Sequence, residues 1–454
     1  MSVDVVILAA GQGSRMKSAL PKVLHSVGGK AMVQHVIDNA SSLEDAAIHV
    51  VIGHGAEKVR EMLATQPVQF ALQEQQLGTG HAVAQAMPNV SADSTVLVLY
   101  GDVPLTSAAT MQELVGIAES GDFGLLTVDL QDPTGYGRIV RDEADNVIAI
   151  VEHKDASDAQ REIREVNTGI LAVSASKLND WLPQLSSENV QGEYYLTDII
   201  AMAASQGLAI KAIQPNTEQE VQGVNNRVQL AELERWHQLR NAEQLMLNGA
   251  TLADPARVDV RGSVTQGNDI WIDVNVVLEG DVYIGNNVCI ESNCVIRNSR
   301  IGDGTVIKAN SHLEDAVVAE NCDVGPYARL RPGTELANKA KVGNFVETKK
   351  ALIGEGSKVN HLTYVGDAKL GKNVNVGAGT ITCNYDGVNK SLTEIGDGAF
   401  IGSNSSLVAP VSVGAGATVG AGSTITKAVD DDQLAVARGK QMNLSNWQRP
   451  VKKS

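Results

Sequence analysis

The chain is poor in aromatic residues, in cysteine and in positive charge, and each shortage counts against a class of protein. Aromatic residues make up 4% of the 454 residues whereas glycine occurs 43 times, a balance typical of a glycine-rich repeat. The four cysteines include no CxxC pair, which argues against a zinc site and for reduced thiols in the cytoplasm. With 37 Lys and Arg against 53 Asp and Glu, the net charge is −16. A nucleic-acid or anionic-membrane surface is therefore disfavoured, and any phosphate site must be local.

Long apolar runs are missing as well. No stretch is suited to spanning a bilayer, and the opening MSVDVVILAAG indicates a buried strand without the basic region of a signal peptide. We therefore expect a cytoplasmic location, no membrane insertion and no nucleic-acid partner. A chain of this length is expected to fold as two or three domains.

What the sequence does contain is an aliphatic residue at almost every sixth position between about residues 272 and 425. A glycine often follows it, and a small residue stands four positions after it. Helices repeat near 3.6 residues and strands at 2, so neither gives a period of six. A chain that coils around a three-sided prism of short parallel strands does, with one inward apolar residue per face. The sequence therefore predicts a hexapeptide-repeat β-helix with these inward positions: Ile272, Leu278, Ile284, Ile290, Ile296, Ile301, Ile307, Leu313, Val318, Val324, Leu330, Leu336, Val342, Ile395, Ile401, Leu407, Val413, Val419 and Ile425.

Three hexads close one coil, so inward positions three steps apart should stack on one another. Counted from Leu330, these steps reach Thr348, Val365 and Thr382. The four residues are predicted to form one column, with about 4.8 Å between successive coils, as between the strands of a sheet.

The same count gathers cations along one edge of the prism. Arg331 and Lys349 should lie beside residues 364–366 on that edge. After Thr382 the rhythm fails, so residues 383–394 should leave the prism there as a loop. Solenoid proteins often carry functional residues on such insertions, but a stable β-helix also tolerates an ordinary turn. The pattern alone is compatible with both interpretations.

The first half of the chain alternates predicted strands and helices, beginning with a buried strand at 3–9. A glycine-rich turn at 11–16 follows, an arrangement whose backbone N–H groups can cradle phosphates. Met16 stands where a dinucleotide-binding fingerprint needs its third glycine, which disfavours a NAD site. Arg15 and Lys22 are instead placed to reach the phosphates of a nucleotide. A helix at 31–41 and a strand at 47–53 continue the alternation.

A second apolar strand, at 95–100, ends in Gly101 and Asp102. A carboxylate just beyond the carboxyl end of a parallel strand is where open α/β sheets bind ligands. Asp102 is therefore a candidate Mg²⁺ ligand, with Asn225 as a second one. The competing role for Asp102 is a helix N-cap.

Glycine-bracketed loops complete this half. The loop at 73–81 either places Gln73 and Gly78 against a flat base edge or is an ordinary loop. Polar loop ends near 132–138, 151–154 and 165–169 can likewise be plain turns. From residue 227 to 247 the pattern is helical without a break, ended by Gly249 and suited to connect to the prism.

Taken together, these motifs resemble the family of bifunctional N-acetylglucosamine-1-phosphate uridylyltransferases / glucosamine-1-phosphate N-acetyltransferases over essentially the whole chain. The first-loop motif alone marks sugar nucleotidyltransferases in general. Gln12 replaces the family's lysine at a position without an assigned role. The motifs are Leu8 to Gly11, Gly13, Arg15-Met16, Pro21-Lys22, Gly101 to Leu105, Arg331 to Gly333, Lys349, His361 to Tyr364, Gly377 to Gly387 and Lys390.

For the first domain, the resemblance implies transfer of UMP from UTP to N-acetylglucosamine 1-phosphate, with release of pyrophosphate. Asp102 and Asn225 would hold Mg²⁺, while Arg15 and Lys22 would offset developing charge. The implied contacts to UTP or UDP-N-acetylglucosamine are Leu8, Ala9, Ala10, Gly11, Lys22, Gln73, Gly78, Thr79, Tyr100, Gly101, Asp102, Gly137, Glu152, Asn167 and Asn225.

For the prism, the resemblance implies acetyl transfer from acetyl-CoA to the amine of glucosamine 1-phosphate, in a trimer with sites between adjacent chains. The glucosamine 1-phosphate contacts would be Arg331, Lys349, Tyr364, Asn375 and Lys390. The acetyl-CoA contacts would be Ala378, Asn384, Tyr385, Ser403, Ala421 and Arg438.

The reaction needs a base, and only His312 and His361 are histidines beyond residue 250. A single histidine is more often structural, and His361 packing beneath Tyr364 is the alternative to a catalytic role. Because His361 lies near several cations on one edge of an acidic protein, we interpret it as the general base.

The predicted architecture is a Rossmann-like α/β nucleotidyltransferase domain (1–226), a helical linker (227–249) and a left-handed parallel β-helix (250–454). Two rival functions are a single-activity sugar-1-phosphate nucleotidyltransferase with a structural β-helix, and a trimeric scaffold without activity. A scaffold would show an unbroken hexad rhythm and no cation cluster, and this chain has the opposite.

Overall fold

The computed structural model describes residues 2–452, which form two compact units, one ending at His237 and the other beginning at Gln238. The helices of the chain are α1 (Met32–Ala40), α2 (Ala56–Met62), α3 (Thr79–Ala86), α4 (Ala108–Glu119), α5 (Asp158–Arg161), α6 (Ala175–Trp181), α7 (Asp198–Ser205) and α8 (Arg227–Leu247). Among the described residues, no helix combines the length and the apolarity needed to cross a membrane.

The strands of the N-terminal unit are β1 (Val3–Ala9), β2 (Ser26–Val27), β3 (Lys30–Ala31), β4 (Ala46–Ile52), β5 (Val68–Leu72), β6 (Thr95–Tyr100), β7 (Phe123–Asp129), β8 (Arg138–Arg141), β9 (Val147–Val151), β10 (Glu165–Ser174) and β11 (Ile210–Ile213). Nine of them form one mixed sheet, in which seven follow the order β11-β7-β10-β6-β1-β4-β5 and the other two, β8 and β9, are joined through the pairing of β8 with β10. The strand β10 is antiparallel to both of its neighbours in that order, whereas β1, β4, β5 and β6 are parallel to one another. A separate short hairpin is formed by β2 and β3.

Apolar residues cover both faces of this sheet. Along β1, Val5 and Ile7 face the core shared with α1, α2 and α4, while Val6 and Leu8 face the core shared with α3, α6 and α7. A strand buried on both faces gives a continuous apolar run, which is why β1 is evident from sequence. The chain turns to opposite sides of β1 to form β4 and β6, so a topological switch point lies between β1 and β6.

The C-terminal unit is the predicted hexapeptide β-helix, and that prediction is confirmed. The prism begins earlier than the clear hexads, because Ala250–Leu252 already pairs with the strand Ile270–Ile272. One face is a sheet of 11 parallel strands: Ala250–Leu252, Ile270–Ile272, Cys289–Ile290, Val306–Ile307, Asp323–Val324, Lys341–Asn344, Lys358–His361, Asn375–Val376, Phe400–Ile401, Thr418–Val419 and Leu434–Ala435.

The other two faces share one sheet, because a few longer strands bend around the corner between them. Its strands are Val258–Gln266, Val276–Ile284, Val295–Arg297, Arg300–Ile301, His312–Glu314, Val317–Val318, Arg329–Leu330, Glu335–Leu336, Glu347–Ile353, Tyr364–Leu370, Ile381–Cys383, Thr393–Ile395, Ser406–Val408, Val411–Val413 and Thr424–Ile425.

The predicted column is confirmed by the strand register. Leu330 pairs with Thr348 and Thr348 with Val365, and the register that joins Tyr364 to Ile381 places Thr382 beside Val365. The column does not end there, since Thr382 pairs with Leu407 on the far side of the loop. The Thr382 hydroxyl binds both the N–H and the carbonyl of Gly366, which satisfies a polar side chain inside the core.

The helix α8 matches its predicted bounds and contributes to both units. Leu233 is buried in the N-terminal unit, whereas Ala242 and Leu245 belong to the core of the prism. The amide of Gln238, also buried, exchanges two hydrogen bonds with the backbone of Val260 at 2.7 and 2.9 Å. These contacts cover the apolar end of the first coil.

Successive coils lie so close at Gly354 that a Cβ there would stand 2.2 Å from the carbonyl oxygen of Gly371. We expect Gly354→Ala to lower the free energy of unfolding of the prism by about 1–3 kcal/mol, because the coils must separate. Gly439→Ala is the control, since a Cβ there meets nothing within 4 Å. Calorimetric unfolding measures the difference in stability between the two variants. Equal stabilities would contradict the prediction, because the coils would then separate without loss of free energy.

Candidate active sites

A cavity of about 290 Å³ opens in the N-terminal unit where β1 and β6 end. The N–H of Gly101 donates to the carbonyl of Leu8 at 2.9 Å, which holds the ends of the two strands together. Ten of the predicted uridylyl-transfer residues line this cavity, together with four that sequence analysis did not single out. The lining residues are Leu8, Ala9, Ala10, Gly11, Lys22, Gln73, Gly78, Thr79, Tyr100 and Asp102, and the additional ones are Val23, Gln76, Ala82 and Glu193.

Four predicted polar side chains converge beside this cavity. The Lys22 ammonium forms an ion pair with the Asp102 carboxylate and donates to Asn225 Oδ1 at 3.3 Å. Arg15 donates to the same Asn225 oxygen at 2.9 Å. Gly13 makes this approach possible, because its backbone is left-handed and a Cβ there would lie 2.6 Å from the Lys22 Cβ. Two protein oxygens thus already face one cationic group.

The alternative role of Asp102 as a helix N-cap is excluded. The next helix, α4, begins at Ala108 and is capped by Ser107, whose hydroxyl accepts from the Thr110 N–H at 3.2 Å. The Asp102 carbonyl instead accepts from the Val224 N–H at 3.0 Å, which brings the neighbouring Asn225 to the site.

The loop at one side of the cavity is held by its own polar contacts. Gln73 is buried, and its amide nitrogen donates to the Gly78 carbonyl at 3.1 Å and contacts His81 Nδ1 at 3.0 Å. Gly78 has a φ of 113°, and a Cβ there would lie 2.6 Å from the Tyr194 carbonyl. The loop is therefore fixed in place rather than an open turn.

The three residues predicted to bind the sugar lie together, outside the lining of the cavity. The Asn167 N–H donates to the Gly137 carbonyl at 2.8 Å, and a Cβ on Gly137 would stand 3.3 Å from a Glu152 oxygen. Burial raises the pKa of Glu152, although a hydrogen bond from Thr197 at 3.2 Å opposes this shift. The expected loop end at Asn167 is a strand position instead, at a register shift within β10.

Tyr100 connects the two groups of residues. Its ring lies over Gly169, where a Cβ would come within 2.5–2.8 Å of the ring atoms and φ is 85°. Burial raises the pKa of the Tyr100 phenol, and the charges of Asp102 and Glu152 add to the shift. Its hydroxyl therefore stays protonated and can donate a hydrogen bond.

On the prism, the strand register places Arg331 beside Lys349, as counted from sequence. Contact with the Lys390 ammonium lowers the pKa of Lys349, and the charge of Arg331 adds to the effect. Two carboxylates missed by sequence analysis face the cations: Glu347 accepts from Arg331 at 2.8 Å, and Asp367 lies close enough to act on Lys349. Arg331, Lys349 and Lys390 therefore lie close together, and the two carboxylates neutralise only part of their positive charge.

The loop that leaves the prism is shorter than predicted and runs from 384 to 392, because Cys383 and Thr393 belong to strands. It folds back on itself through an antiparallel bridge between Tyr385 and Lys390. Its first residue, Asn384, is buried and donates to the Asp367 carboxylate. The loop thereby carries Lys390 to the edge that holds Lys349.

His361 ends the strand Lys358–His361, next to the corner that leads to Tyr364. Its side chain is exposed and its Nδ1 lies 2.8 Å from Asn344 Oδ1, so it does not pack beneath Tyr364. The Tyr364 ring instead lies over Gly366, where a Cβ would be 2.4 Å from the Tyr364 oxygen. Asn375 lies on the same face of the prism as His361, one coil on from Lys358.

Four of the six residues predicted to bind acetyl-CoA follow one corner of the prism, and the other two, Asn384 and Tyr385, lie on the loop after the strand Ile381–Cys383. The register of Asn375 with Phe400, continued along the chain, places Ala378 beside Ser403, and the next coil places Ala421 beside Ser403. Arg438 donates to the Ala421 carbonyl at 2.8 Å.

Sequence signals existed for several residues that were missed. Gln76 stands in the loop at 73–81, which the sequence analysis singled out for Gln73 and Gly78. Asn344 is 17 residues before His361, one coil away, so the coil count was able to find it. Within the described residues, no three acidic, histidine or cysteine side chains gather as a metal cluster.

Comparison with known families matches three segments of the chain. Residues 5–162 match the MobA-like NTP transferase domain, and residues 392–427 match the bacterial transferase hexapeptide with six repeats. Residues 260–347 match the GMPPB C-terminal domain. A solved nucleotidyl transferase from Methanothermobacter thermautotroptrophicus is 19% identical, with a TM-score of 0.39, over 53% of this chain and 99% of that one. That likeness is too low to carry an argument.

Curated relatives match the whole chain. The Bifunctional protein GlmU of Cellvibrio japonicus is 62% identical over 452 residues, which is 100% of both chains. The Bifunctional protein GlmU of Marinobacter nauticus is 64% identical over 450 residues, which is 99% of each. With this identity over both the α/β unit and the prism, the chain belongs to the family of bifunctional GlmU proteins.

Proposed function

We propose that the two sites described above divide the two activities of this bifunctional enzyme. The chain is a glucosamine-1-phosphate N-acetyltransferase and an N-acetylglucosamine-1-phosphate uridylyltransferase, which together make UDP-N-acetylglucosamine. Acetyl transfer is assigned to the prism (250–454), uridylyl transfer to residues 1–226, and the connecting role to 227–249. A cytoplasmic location is part of this proposal, because both activities depend on a supply of UTP and acetyl-CoA.

The observation that carries the uridylyl-transfer assignment is the convergence of Arg15, Lys22, Asp102 and Asn225 beside a cavity at a topological switch point. A phosphate oxygen of N-acetylglucosamine 1-phosphate attacks the α-phosphorus of UTP in line. The new P–O bond forms as the bond to pyrophosphate breaks, and no covalent protein intermediate is needed. Catalysis then depends on positioning and on neutralising charge, which Arg15 and Lys22 do.

Mg²⁺ fits the donor set of this site. Asp102 offers a carboxylate and Asn225 an amide oxygen, and both already face the Lys22 ammonium. Mg²⁺ prefers one or two such protein oxygens together with substrate phosphates. Asp102 and Asn225 would hold the ion, whose positive charge would neutralise part of the charge of the substrate phosphates. Tyr100 and the cavity residues Leu8 to Gly11, Gln73, Gly78 and Thr79 would hold the uridine side, and Gly137, Glu152 and Asn167 the sugar.

Acetyl transfer is assigned to the edge where His361 lies near Arg331, Lys349 and Lys390. The three cations bind the phosphate of glucosamine 1-phosphate, while Tyr364 and Asn375 hold the sugar. The His361 imidazole takes the proton of the amine, whose lone pair attacks the thioester carbonyl. The C–N bond forms, the C–S bond breaks, and the proton passes to the leaving thiolate to give coenzyme A. Ala378, Asn384, Tyr385, Ser403, Ala421 and Arg438 bind acetyl-CoA.

Assembly of the prism as a homotrimer is supported by an apolar ridge on one corner. Tyr327, Phe345 and Leu362 stand on successive coils and are 52%, 56% and 63% exposed. The rings of Tyr327 and Phe345 stack with centroids 5.3 Å apart. All three residues have φ between 47° and 56°, a costly conformation for bulky side chains. An exposed apolar ridge held at such a cost is suited to burial against a second copy of the chain.

Asp102→Asn should cut pyrophosphate release by at least about 100-fold, because it removes the carboxylate assigned to Mg²⁺. Release of free thiol by the prism should be unchanged. Asp38→Asn, which removes the carboxylate of the exposed Lys30–Asp38 pair in the same unit, is the control and should keep both activities. If both activities of Asp102→Asn fell together in a folded protein, the division between two sites would be wrong.

His361→Ala should lower the kcat of acetyl transfer by roughly 10²–10⁴, the usual contribution of a placed general base. KM for glucosamine 1-phosphate should change little, since the cations remain. The matched control is His312→Ala, which alters the other histidine of the prism. Measuring kcat, KM and oligomer mass on one sample decides the role. If the variant formed a trimer with near-normal acetyl transfer, His361 would have no part in the mechanism. If the variant lost its trimeric assembly before it lost acetyl transfer, the role of His361 would be structural.

Tyr327→Asp should convert the assembly to single chains in sedimentation analysis, because it places a charge in the apolar ridge. Uridylyl transfer should persist and acetyl transfer should fall. Trp271→Asp provides the control, since Trp271 is an exposed aromatic residue on an earlier coil, within a strand of the 11-stranded face and away from the ridge. An unchanged mass for Tyr327→Asp would rule out this corner as the interface.

A further inference from the structure

Asn344 is the direct neighbour of His361 across two coils of the prism. Asn344 ends the strand Lys341–Asn344, His361 ends the strand Lys358–His361, and the two residues are paired in the register of these strands. The Asn344 Oδ1 lies 2.8 Å from the Nδ1 of His361. The Nε2 of His361 makes no hydrogen bond to the protein within residues 2–452 and faces solvent.

The backbone holds Asn344 firmly at this place. The preceding residue, Gly343, lets the coils approach so closely that a Cβ there would be 2.0 Å from the Asn360 carbonyl oxygen. The Asn344 carbonyl accepts from the Leu362 N–H at 3.1 Å. The side-chain contact with His361 is therefore a consequence of the coil geometry, not of a flexible surface side chain.

The contact decides which nitrogen of His361 carries the proton. An amide oxygen only accepts, so the ring must donate through Nδ1–H, which leaves the lone pair on Nε2. A neutral imidazole in water favours the opposite tautomer, with the proton on Nε2, and that form has no lone pair on its exposed nitrogen. A base that faces solvent through Nε2 therefore needs an acceptor at Nδ1.

We propose that Asn344 is a positioning residue for acetyl transfer, which sets the tautomer and ring orientation of His361 so that Nε2 receives the proton of the amine. This rests on the proposed role of His361 as the general base. In this assignment Asn344 acts through the imidazole of His361, the side chain that its Oδ1 contacts.

The tautomer is measured directly by the ¹⁵N shifts of the ring nitrogens in the full-length protein, with His361→Ala used to assign the signal. The expected result is a proton on Nδ1 in the native chain and in Asn344→Asp, whose carboxylate also accepts, and a proton on Nε2 in Asn344→Ala. A native ring protonated on Nε2, or a tautomer unchanged in Asn344→Ala, would overturn the proposal. This measurement does not depend on activity, so it stands even if His361 proves not to be the base.

Kinetics then test the consequence for the reaction. Asn344→Ala should lower the kcat of acetyl transfer by about 10- to 100-fold, less than removal of the base itself, with KM for glucosamine 1-phosphate nearly unchanged. Asn344→Asp should recover most of the lost rate. Asn338→Ala is the control, because Asn338 also bonds between coils, through the Glu320 N–H at 3.1 Å, without contacting a histidine.

Two outcomes count against the proposal. If Asn344→Asp were as slow as Asn344→Ala while the protein stays folded, the amide would be acting as a donor. If Asn344→Ala lost no more rate than Asn338→Ala, Asn344 would be structural only. Should Asn344→Ala fail to fold, the isosteric Asn344→Asp still decides, since an Nε2-protonated ring in that variant contradicts the assignment.

Discussion

The stacking of coils with inward aliphatic residues is the constraint on which the prism depends. Each coil pairs with the next through parallel backbone hydrogen bonds, and steps such as Leu313 to Leu330 to Thr348 advance the chain by one coil. Residues 17 or 18 positions apart in sequence thereby become neighbours. The cations Arg331 and Lys349, and the pair Asn344 and His361, are brought together by this same step.

In the N-terminal unit, residues that are distant in sequence also become neighbours, but no repeat brings them together. Its polar residues come from segments more than 200 positions apart, as Arg15 and Asn225 show. They meet because the carboxyl ends of β1 and β6 share one edge of the sheet and the segment after Val221 returns to it. Here the position of the site follows from the topology of the sheet, not from a repeat.

Periodic and locally determined features were predictable from sequence. The hexads predicted the prism and the column through Leu330. Uninterrupted apolar or helical runs predicted β1, β6 and α8. The ion pair between Lys22 and Asp102 was not predictable from sequence. The two residues belong to separate motifs, and the motifs do not fix the distance between them. Asn344 is uncharged and is not one of the inward aliphatic positions, so only the step of one coil from His361 indicates its place. The loop was placed too long, since Cys383 and Thr393 pair with neighbouring strands despite their broken rhythm.

A stack in which each coil touches only its neighbours opens from its ends rather than from its middle. Arg331 and Lys349 lie on inner coils, whereas Arg438 follows Leu434–Ala435, the outermost strand of its face in the described chain. Fraying at that end would therefore release the corner assigned to the acetyl donor while the phosphate-binding edge stayed assembled. Mild heating or low concentrations of denaturant would then impair recognition of the thioester before recognition of the sugar phosphate.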